Sequence, residues 1–434
     1  MIIILMGVSG SGKTTIGNDL AQRLGWRFIE GDDYHPAENR EKMSAGVPLE
    51  DKDRQPWLDE LERVITQTIE SGDDAVLASS ALKARYREQL RVDPEQVRLV
   101  YLCGSYELIL ERLKQRIGHF MKPEMLRSQF DDLERPADTL VIDIHQPPDK
   151  IVDSIIEQLS LPTTRLLLDG LMFPEAPRWR DGWLWFTDQH AQRIVRVSPE
   201  GESETIATLD DLPGGLGWLP DGRLLVVSMT KRQLLVLEEG GVRLYADLSD
   251  LASFHCNDML TDDKGRCYVG NFGYDLHGGA DQSPAELILV RGENDASVVA
   301  KELIFPNGCA LTADASTLLV AETFASRISA FDVAADGSLS KRRIWADLGD
   351  AYPDGICLDR EGLLWVAAPN QSLLLQVREG GEVVRRIKSM GAPYACMIGG
   401  SAGEYLFIAS SETDDPEVAK QLKGGRIEVM EIQT

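Results

Sequence analysis

The chain has 434 residues, more than one ordinary domain holds, which points to two or three domains unless one is a large β architecture. Hydrophobic residues at 43% and charged residues at 26% are globular composition and exclude disorder as the main state. Lys+Arg at 45 against Asp+Glu at 70 leaves a formal charge of -25, which repels nucleic-acid backbones and anionic lipid and excludes a general binder of either.

Ile2 to Met6 is a continuous apolar run, as expected of a strand buried on both faces. It is too short for a secretory apolar region, lacks basic residues before it, and runs straight into glycine. Gly7-Val-Ser-Gly-Ser-Gly-Lys-Thr14 then fits the phosphate-loop pattern between a strand and a helix, the context that gives the motif meaning. Gly7, Gly10 and Gly12 let backbone N–H groups turn inward around phosphate oxygens. Lys13 is expected to reach the β- and γ-phosphates of ATP, and Thr14 to help hold Mg²⁺. Ser9, Ser11 and Thr15 complete the expected nucleotide-binding set.

Ile16, Leu20 and Leu24 share one face of a helix predicted over 14–24. A strand over 27–29 leads to Gly31-Asp-Asp-Tyr-His-Pro36, whose carboxylates would emerge at the carboxyl edge of a parallel sheet. An acid there can orient a hydroxyl nucleophile and take its proton; the spacing fits an Asx turn into Pro36 equally well. Inner strands are predicted at 75–78, 97–102 and 140–144, with helices over 106–117 and 151–159. Arg112 and Arg116 stand four apart on one helical face, near His119, and suit either a phosphate clamp or a solvated basic stripe.

Gly-Val-Ser-Gly-Ser-Gly-Lys-Thr, Gly-Asp-x-x-His-Pro, Asn-x-x-Lys-Met (39–43), Asp-Arg-x-Pro-Trp (53–57), Ser-Ala-Leu-Lys (80–83), Tyr-Arg and Gly-His-Phe together resemble gluconate kinase. The resemblance covers nearly all of 1–160 and argues against shikimate and adenylate kinases. It implies an α/β P-loop kinase domain with Lys13 and Asp32 catalytic, Asp32 beside the acceptor hydroxyl and Asp33 idle. It also implies that His35, Arg54 and Lys83 hold the polyol and its carboxylate, and that Arg112 and Arg116 are lid residues near the nucleotide phosphates. A homodimer through this domain is left open.

Ser160 to Thr164 punctuates the chain, so domains are expected at 1–161 and 165–434. Beyond it one phrase recurs: an apolar start, a polar-Gly turn, and a short strand rich in aromatic or β-branched residues. Its six copies lie at 177–186, 217–226, 260–269, 311–320, 358–366 and 398–407, the blade period of an all-β six-bladed β-propeller. A β-sandwich would explain the strands but not the period. A last strand near 425–432 is expected to complete a blade begun near Leu166, closing the ring.

Glu175, the pair Asn257 and Asp258, Asn307 and Asp354 each stand just before a copy of the phrase, so all could converge on the propeller axis. Two carboxylates plus two amide oxygens make a hard oxygen site for Ca²⁺, Mg²⁺, Mn²⁺ or Zn²⁺, with calcium the first expectation. Singly, Pro-Asn-Gly and Pro-Asp-Gly are turn tripeptides; at four equivalent repeat positions a metal is favoured. A metal there would polarise a carbonyl while Asp354 accepts a proton from water, which is hydrolysis of a neutral ester or lactone.

This half resembles the gluconolactonase and regucalcin (SMP-30-like) family from about Leu166 onward. The resemblance implies that Glu175, Asn257, Asn307 and Asp354 form the metal site, with Asp354 the general base. Some relatives carry an arginine two residues before the asparagine; here His255 stands in that place, and Asn271 and Tyr274 are the further candidates for the mouth.

The joint expectation is a bifunctional enzyme. It would hydrolyse gluconolactone to gluconate and phosphorylate gluconate with ATP to 6-phosphogluconate. Its partners would be these small molecules, with no nucleic acid and no membrane. The alternatives for the propeller are another lactone or ester, or calcium binding without turnover. Six cysteines with no CxxC pair argue against a disulfide framework or zinc knuckle. Together with the absence of any transmembrane-length run, they lead to a cytoplasmic expectation.

Overall fold

A computed structural model describes residues 1–432 except 46, 48, 116–122, 138, 160 and 162, and the side chains of 115, 123 and 124. The chain divides into two compact units, Met1–Thr163 and Thr164–Thr434. Among the described residues no helix is long and apolar enough to cross a membrane.

The first unit is built on a five-stranded parallel sheet in the order Arg27–Glu30, Ala75–Ala78, Ile2–Met6, Val97–Cys103, Leu140–Asp143. The central strand Ile2–Met6 is fully buried, and its period-two alternation splits it between two cores. Ile3 and Leu5 join Ile16, Leu20, Ile109, Leu126, Val152 and Ile155 on one face. Ile2, Ile4 and Met6 join Trp57, Leu61, Ile65 and Leu90 on the other. Each such side chain contributes roughly 1.5–3 kcal/mol of burial, so helices on both faces are what keep this sheet folded. Because all five strands run one way, the segments following them gather at one edge, where ligands bind in such sheets.

The helices over 13–24, 106–115 and 148–158 agree with the predicted ones to within a few residues. The longest, Asp51–Glu70, lies outside the sequence expectations. It starts with a capping box between Glu50 and Asp53 and carries Pro56 inside its second turn.

The second unit is six four-stranded antiparallel sheets arranged as a propeller. The innermost strands, Pro174–Arg180, Pro213–Trp218, Cys256–Thr261, Pro306–Leu311, Ile356–Leu358 and Ala392–Gly399, contact their neighbours in turn, and the last contacts the first. Each recurring phrase is the hairpin between an innermost strand and the next one out. The sixth sheet pairs Gly425–Glu431 with Arg165–Leu171, as expected for a ring closed by joining its two ends. Thr164 Oγ1 donates to Glu428 Oε2 at 2.7 Å across that seam, and Ser410 and the Met390 N–H also serve this wholly buried carboxylate.

All six cysteines are free thiols, and five are buried. The second unit is not purely β: Pro416–Leu422 is a short helix capped by Asp415, which accepts from the N–H groups of Glu417 and Val418.

Two candidate active sites

The first candidate site forms where Ile2–Met6 ends. Gly7, Gly10 and Gly12 have φ of 148°, 84° and 96°, values that side-chain-bearing residues rarely adopt. The loop they shape wraps onto the amino end of the helix Lys13–Leu24, whose free N–H groups and dipole attract phosphate. Lys13 Nζ donates to the carbonyls of Gly7 at 3.0 Å and Val8 at 3.1 Å, which folds its ammonium over the loop. Thr14 Oγ1 donates to Glu30 Oε2 at 2.7 Å, a carboxylate at the end of the edge strand Arg27–Glu30 that the motif alone does not reveal. Ser11 is wholly buried and its Oγ has no hydrogen-bond partner in the structure. Gly10, Gly12, Thr15 and Arg112 line a shared pocket closed by Ile16, Pro148 and Ile151. Arg112 is braced there by the Ile144 carbonyl at 2.6 Å. Arg116 and His119 lie outside the described residues.

At the same sheet edge, Gly31–Tyr34 forms a 3₁₀ turn rather than a simple Asx turn, placing Asp32 and Asp33 in its first turn. Trp57 Nε1 donates to the Gly31 carbonyl at 2.7 Å and its ring stacks on His35, with centroids 4.5 Å apart. His35 is held below its ordinary pKa first by burial, against the pull of Asp32 and with the push of Arg54 and Arg40. Asp32, His35 and Arg54 therefore share one electrostatic neighbourhood. Arg54 and Lys83 both approach the Tyr86 ring, at 6.0 Å from its centroid. Asp51 is held well below the usual carboxylate range by Tyr86, Arg85 and Lys83, in that order. Lys83 Nζ lies 3.0 Å from Asp51 and 3.5 Å from Asp132.

The second candidate site is a cavity of ≈ 380 Å³ in the propeller. Glu175, Asn257, Asn307 and Asp354 all line it, together with His255. The local cause is a repeated irregularity. The pairing register of the innermost strands shifts at Glu175/Arg178, Cys256/Met259 and Pro306/Cys309, and such bulges re-aim side chains. At the first of these, Ala176 adopts φ 47°, which costs a residue with a β-carbon about 1–2 kcal/mol. Its N–H donates to Glu175 Oε2 at 2.7 Å.

The Pro-Asn-Gly segment is not a turn: Pro306–Leu311 is a strand. Its glycine answers a different demand, since a β-carbon on Gly308 would lie 2.7 Å from the Asp354 carbonyl oxygen. One on Gly355 would meet Ala395 at 2.5 Å. The glycines after Asn307 and Asp354 let neighbouring inner strands close on the axis.

The carboxylates there are electrostatically costly. Burial pushes Glu175 up to about 8, and Asp258 adds to the rise. Asp354 is raised well above its ordinary value by burial, then by Glu175 and Asp258, with Asn307 opposing. Asp354 Oδ1 is buried without any hydrogen-bond partner. An acceptor-only oxygen left unpaired in a site of two carboxylates and two amides fits a divalent cation. Among the described residues no group of three or more His, Cys, Asp or Glu could hold a metal, so the two asparagines are needed to complete any ligand set here. Asp258 turns away to pair with Arg178 at 2.6 Å.

Residues 173–412 match the family model described as SMP-30/gluconolactonase/LRE-like region. The chain belongs to that family. Residues 9–160 match the model described as shikimate kinase. The thermosensitive gluconokinase of Escherichia coli (strain K12) is 47% identical over 146 residues, covering 33% of this chain and 78% of that protein. The amino-terminal unit therefore belongs with the gluconokinases. A gluconolactonase from Xanthomonas campestris has the propeller's fold, at a TM-score of 0.52 and 21% identity over 64% of this chain and 93% of that one. So does regucalcin from Agrobacterium tumefaciens, titled a calcium-binding protein, at 0.53 and 18% over 63% and 96%.

Two residues expected at the propeller mouth do not line the cavity. Asn271 does not line the cavity. It is wholly buried at the end of the strand Cys267–Asn271, where its amide donates to the Glu286 carbonyl at 3.0 Å and its oxygen accepts from Gly273 N. Tyr274 packs edge-on against Phe305 and is not among the lining residues either. The lining that sequence reasoning missed comes from 3₁₀ turns following the second strand of several blades. They bring Gln189 and His190, Thr323 and Phe324, and Pro369 and Asn370 to the cavity. The near-repeat Asp188-Gln-His-Ala-Gln-Arg193 and Glu322-Thr-Phe-Ala-Ser-Arg327 is the signal that could have found two of them. Tyr394 and Asp414 also line the cavity. Burial holds His190 and His255 below their ordinary pKa, so both favour the neutral form.

Proposed function

We propose that the chain is a bifunctional enzyme: its amino-terminal unit phosphorylates gluconate with ATP, and its propeller hydrolyses a sugar lactone, gluconolactone first, to the acid. Membership among the gluconokinases and the phosphate cradle support the first activity. The observation that carries the second is the convergence of Glu175, Asn257, Asn307 and Asp354 on one cavity with an unpaired buried oxygen.

In the kinase, the loop N–H groups and Lys13 bind the nucleotide phosphates, and Thr14 would hold the magnesium that arrives with ATP. Arg54 and Lys83 hold the carboxylate of the acid. Asp32 orients the acceptor hydroxyl and takes its proton as the oxygen bonds to the γ-phosphorus and the bond to ADP breaks.

In the propeller, the four oxygen ligands would hold a divalent cation, calcium first, which when bound supplies positive charge at the ester carbonyl. Asp354 takes a proton from the attacking water. The water oxygen bonds to the carbonyl carbon, the ring C–O bond breaks, and the proton passes to the departing alkoxide oxygen. The products are a hydroxyl and a carboxylic acid, which releases the second water proton to solvent and leaves as a carboxylate.

A second reading of the propeller rests on its walls. Phe173, Phe272, Phe305 and Phe324 line the cavity, His255 stands where some relatives carry arginine, and no Lys or Arg is among the lining residues. These favour an uncharged lactone or ester less polar than gluconolactone. The deciding experiment gives the full chain δ-gluconolactone, ATP, Mg²⁺ and Ca²⁺ and follows acid release and ADP formation together, with an alkyl lactone in parallel. Lys13→Ala should abolish ADP formation and leave acid release intact; joint loss would contradict separable sites. Acid release from the alkyl lactone alone would select the second reading, and none from either would leave the propeller a binding module.

A further inference from the structure

The phosphate loop carries a contact that the kinase reading does not use. Gln129, on the helix Pro123–Asp132, accepts the Ser9 N–H through Oε1 at 2.6 Å. Backbone N–H groups of this loop are the donors a nucleotide's phosphates require, and one donor cannot fully serve two acceptors. A side-chain amide thus sits where a phosphate oxygen would go.

Gln129 is not a loose surface residue that drifted in. Its helix is anchored by Leu126, which is wholly buried in the core shared with Ile109 and Leu113. Those two side chains press on Gly10, where a β-carbon would lie 2.9 Å from Leu113 and 3.2 Å from Ile109. The Phe130 ring meets Tyr106 edge-on at 5.5 Å. One turn on, Asp132 reaches Lys83 at 3.5 Å, and Glu134 accepts the Ala84 N–H at 2.6 Å. The helix therefore spans from the nucleotide cradle to the cations assigned to the acid substrate, and Gln129 and Asp132 lie on one face, three residues apart.

We propose that Gln129 is a positioning residue for the terminal phosphate of the nucleotide. Before ATP binds, its carbonyl oxygen occupies the Ser9 N–H. When a phosphate oxygen takes that donor, the same carboxamide offers its N–H₂ to the phosphate and steadies the group that will be transferred. A neutral amide serves both states, because it holds an acceptor and a donor on one planar group. Ser9 precedes the helix-forming end of the loop, so the donor it offers is assigned to the outermost phosphate, with the inner phosphates on the residues nearer the helix.

The test compares ADP with a non-hydrolysable ATP analogue on the full chain, by calorimetry with Mg²⁺. Gln129→Glu places a negative charge against the terminal phosphate. It should weaken the analogue by tenfold or more while ADP affinity changes by less than threefold. Gln129→Ala should lower kcat for phosphorylation by roughly tenfold or more, with KM for gluconate nearly unchanged. The melting transition of the kinase unit in each variant reports whether its fold has survived. Equal weakening of ADP and analogue, or no weakening of either, would overturn the assignment. Failure of the wild-type chain to bind either nucleotide would instead overturn the kinase reading itself.

Discussion

The two candidate sites handle charge in opposite ways. At the kinase edge, acids and cations are mixed, partly exposed, and already serve one another: Asp51 with Lys83, Arg85 and Tyr86, and Lys42 with Asp53. In the propeller cavity, Glu175 and Asp354 are buried side by side and the lining brings no Lys or Arg to offset them. An exposed pair gains little from its partner and loses little without it. A buried carboxylate without a partner is expensive, and the site keeps that cost unrelieved. The kinase edge is thus prepared to exchange internal ion pairs for an anionic substrate. The propeller cavity leaves its buried carboxylates without a cationic side chain among its lining residues.

The largest expected effect that would break this contrast comes from Asp354→Asn. Lactone hydrolysis should fall by about 10²–10⁴-fold, the usual range for a lost general base. In the presence of a chelator the same variant should melt at a higher temperature than the wild type, because an unsatisfied buried acid has been removed. Added Ca²⁺ should raise the wild-type melting temperature and so narrow or reverse that gap. A chelated variant that melts below the wild type would show that the carboxylate already has a partner.

Next in size, Arg54→Ala and Lys83→Ala should each raise KM for gluconate by about tenfold or more, from loss of one charge-assisted contact. Steady-state kinetics with saturating ATP checks this, and lactone hydrolysis should be unmoved. An unchanged KM in both would remove the acid-binding role from that cluster. The smallest effect concerns the seam. Thr164→Val removes one hydrogen bond from the buried Glu428 and should destabilise the propeller by about 1–3 kcal/mol. A melting curve should show this as a shift in the propeller transition alone.

Much of the architecture was legible because each half follows a strict period. Alternation in Ile2–Met6 feeds two cores, and the recurring hairpin phrase marks every blade. The helix Asp51–Glu70 was not legible, since Pro56 interrupts the pattern and the first turns are heavily charged; its buried face, Trp57, Leu61 and Ile65, acts only through tertiary packing. In the candidate sites, residues at repeat-equivalent positions could be read, and Glu175, Asn257, Asn307 and Asp354 do share a cavity. Asn271 could not: Gly-Asn-Phe-Gly-Tyr has turn composition, yet the asparagine is an internal brace. Glu30, Gln129 and Tyr394 reach their sites through long-range contacts that no local spacing encodes.

The seam between Arg165–Leu171 and Gly425–Glu431 also sets a timetable. During synthesis the kinase unit has all its strands before the propeller begins. The propeller must hold its opening strand unpaired until the closing one emerges, more than 250 residues later. Until then five blades stand with open edges, the condition under which nascent β proteins aggregate or recruit chaperones. A premature stop in the last strand should therefore cost the cell the propeller while sparing the kinase unit.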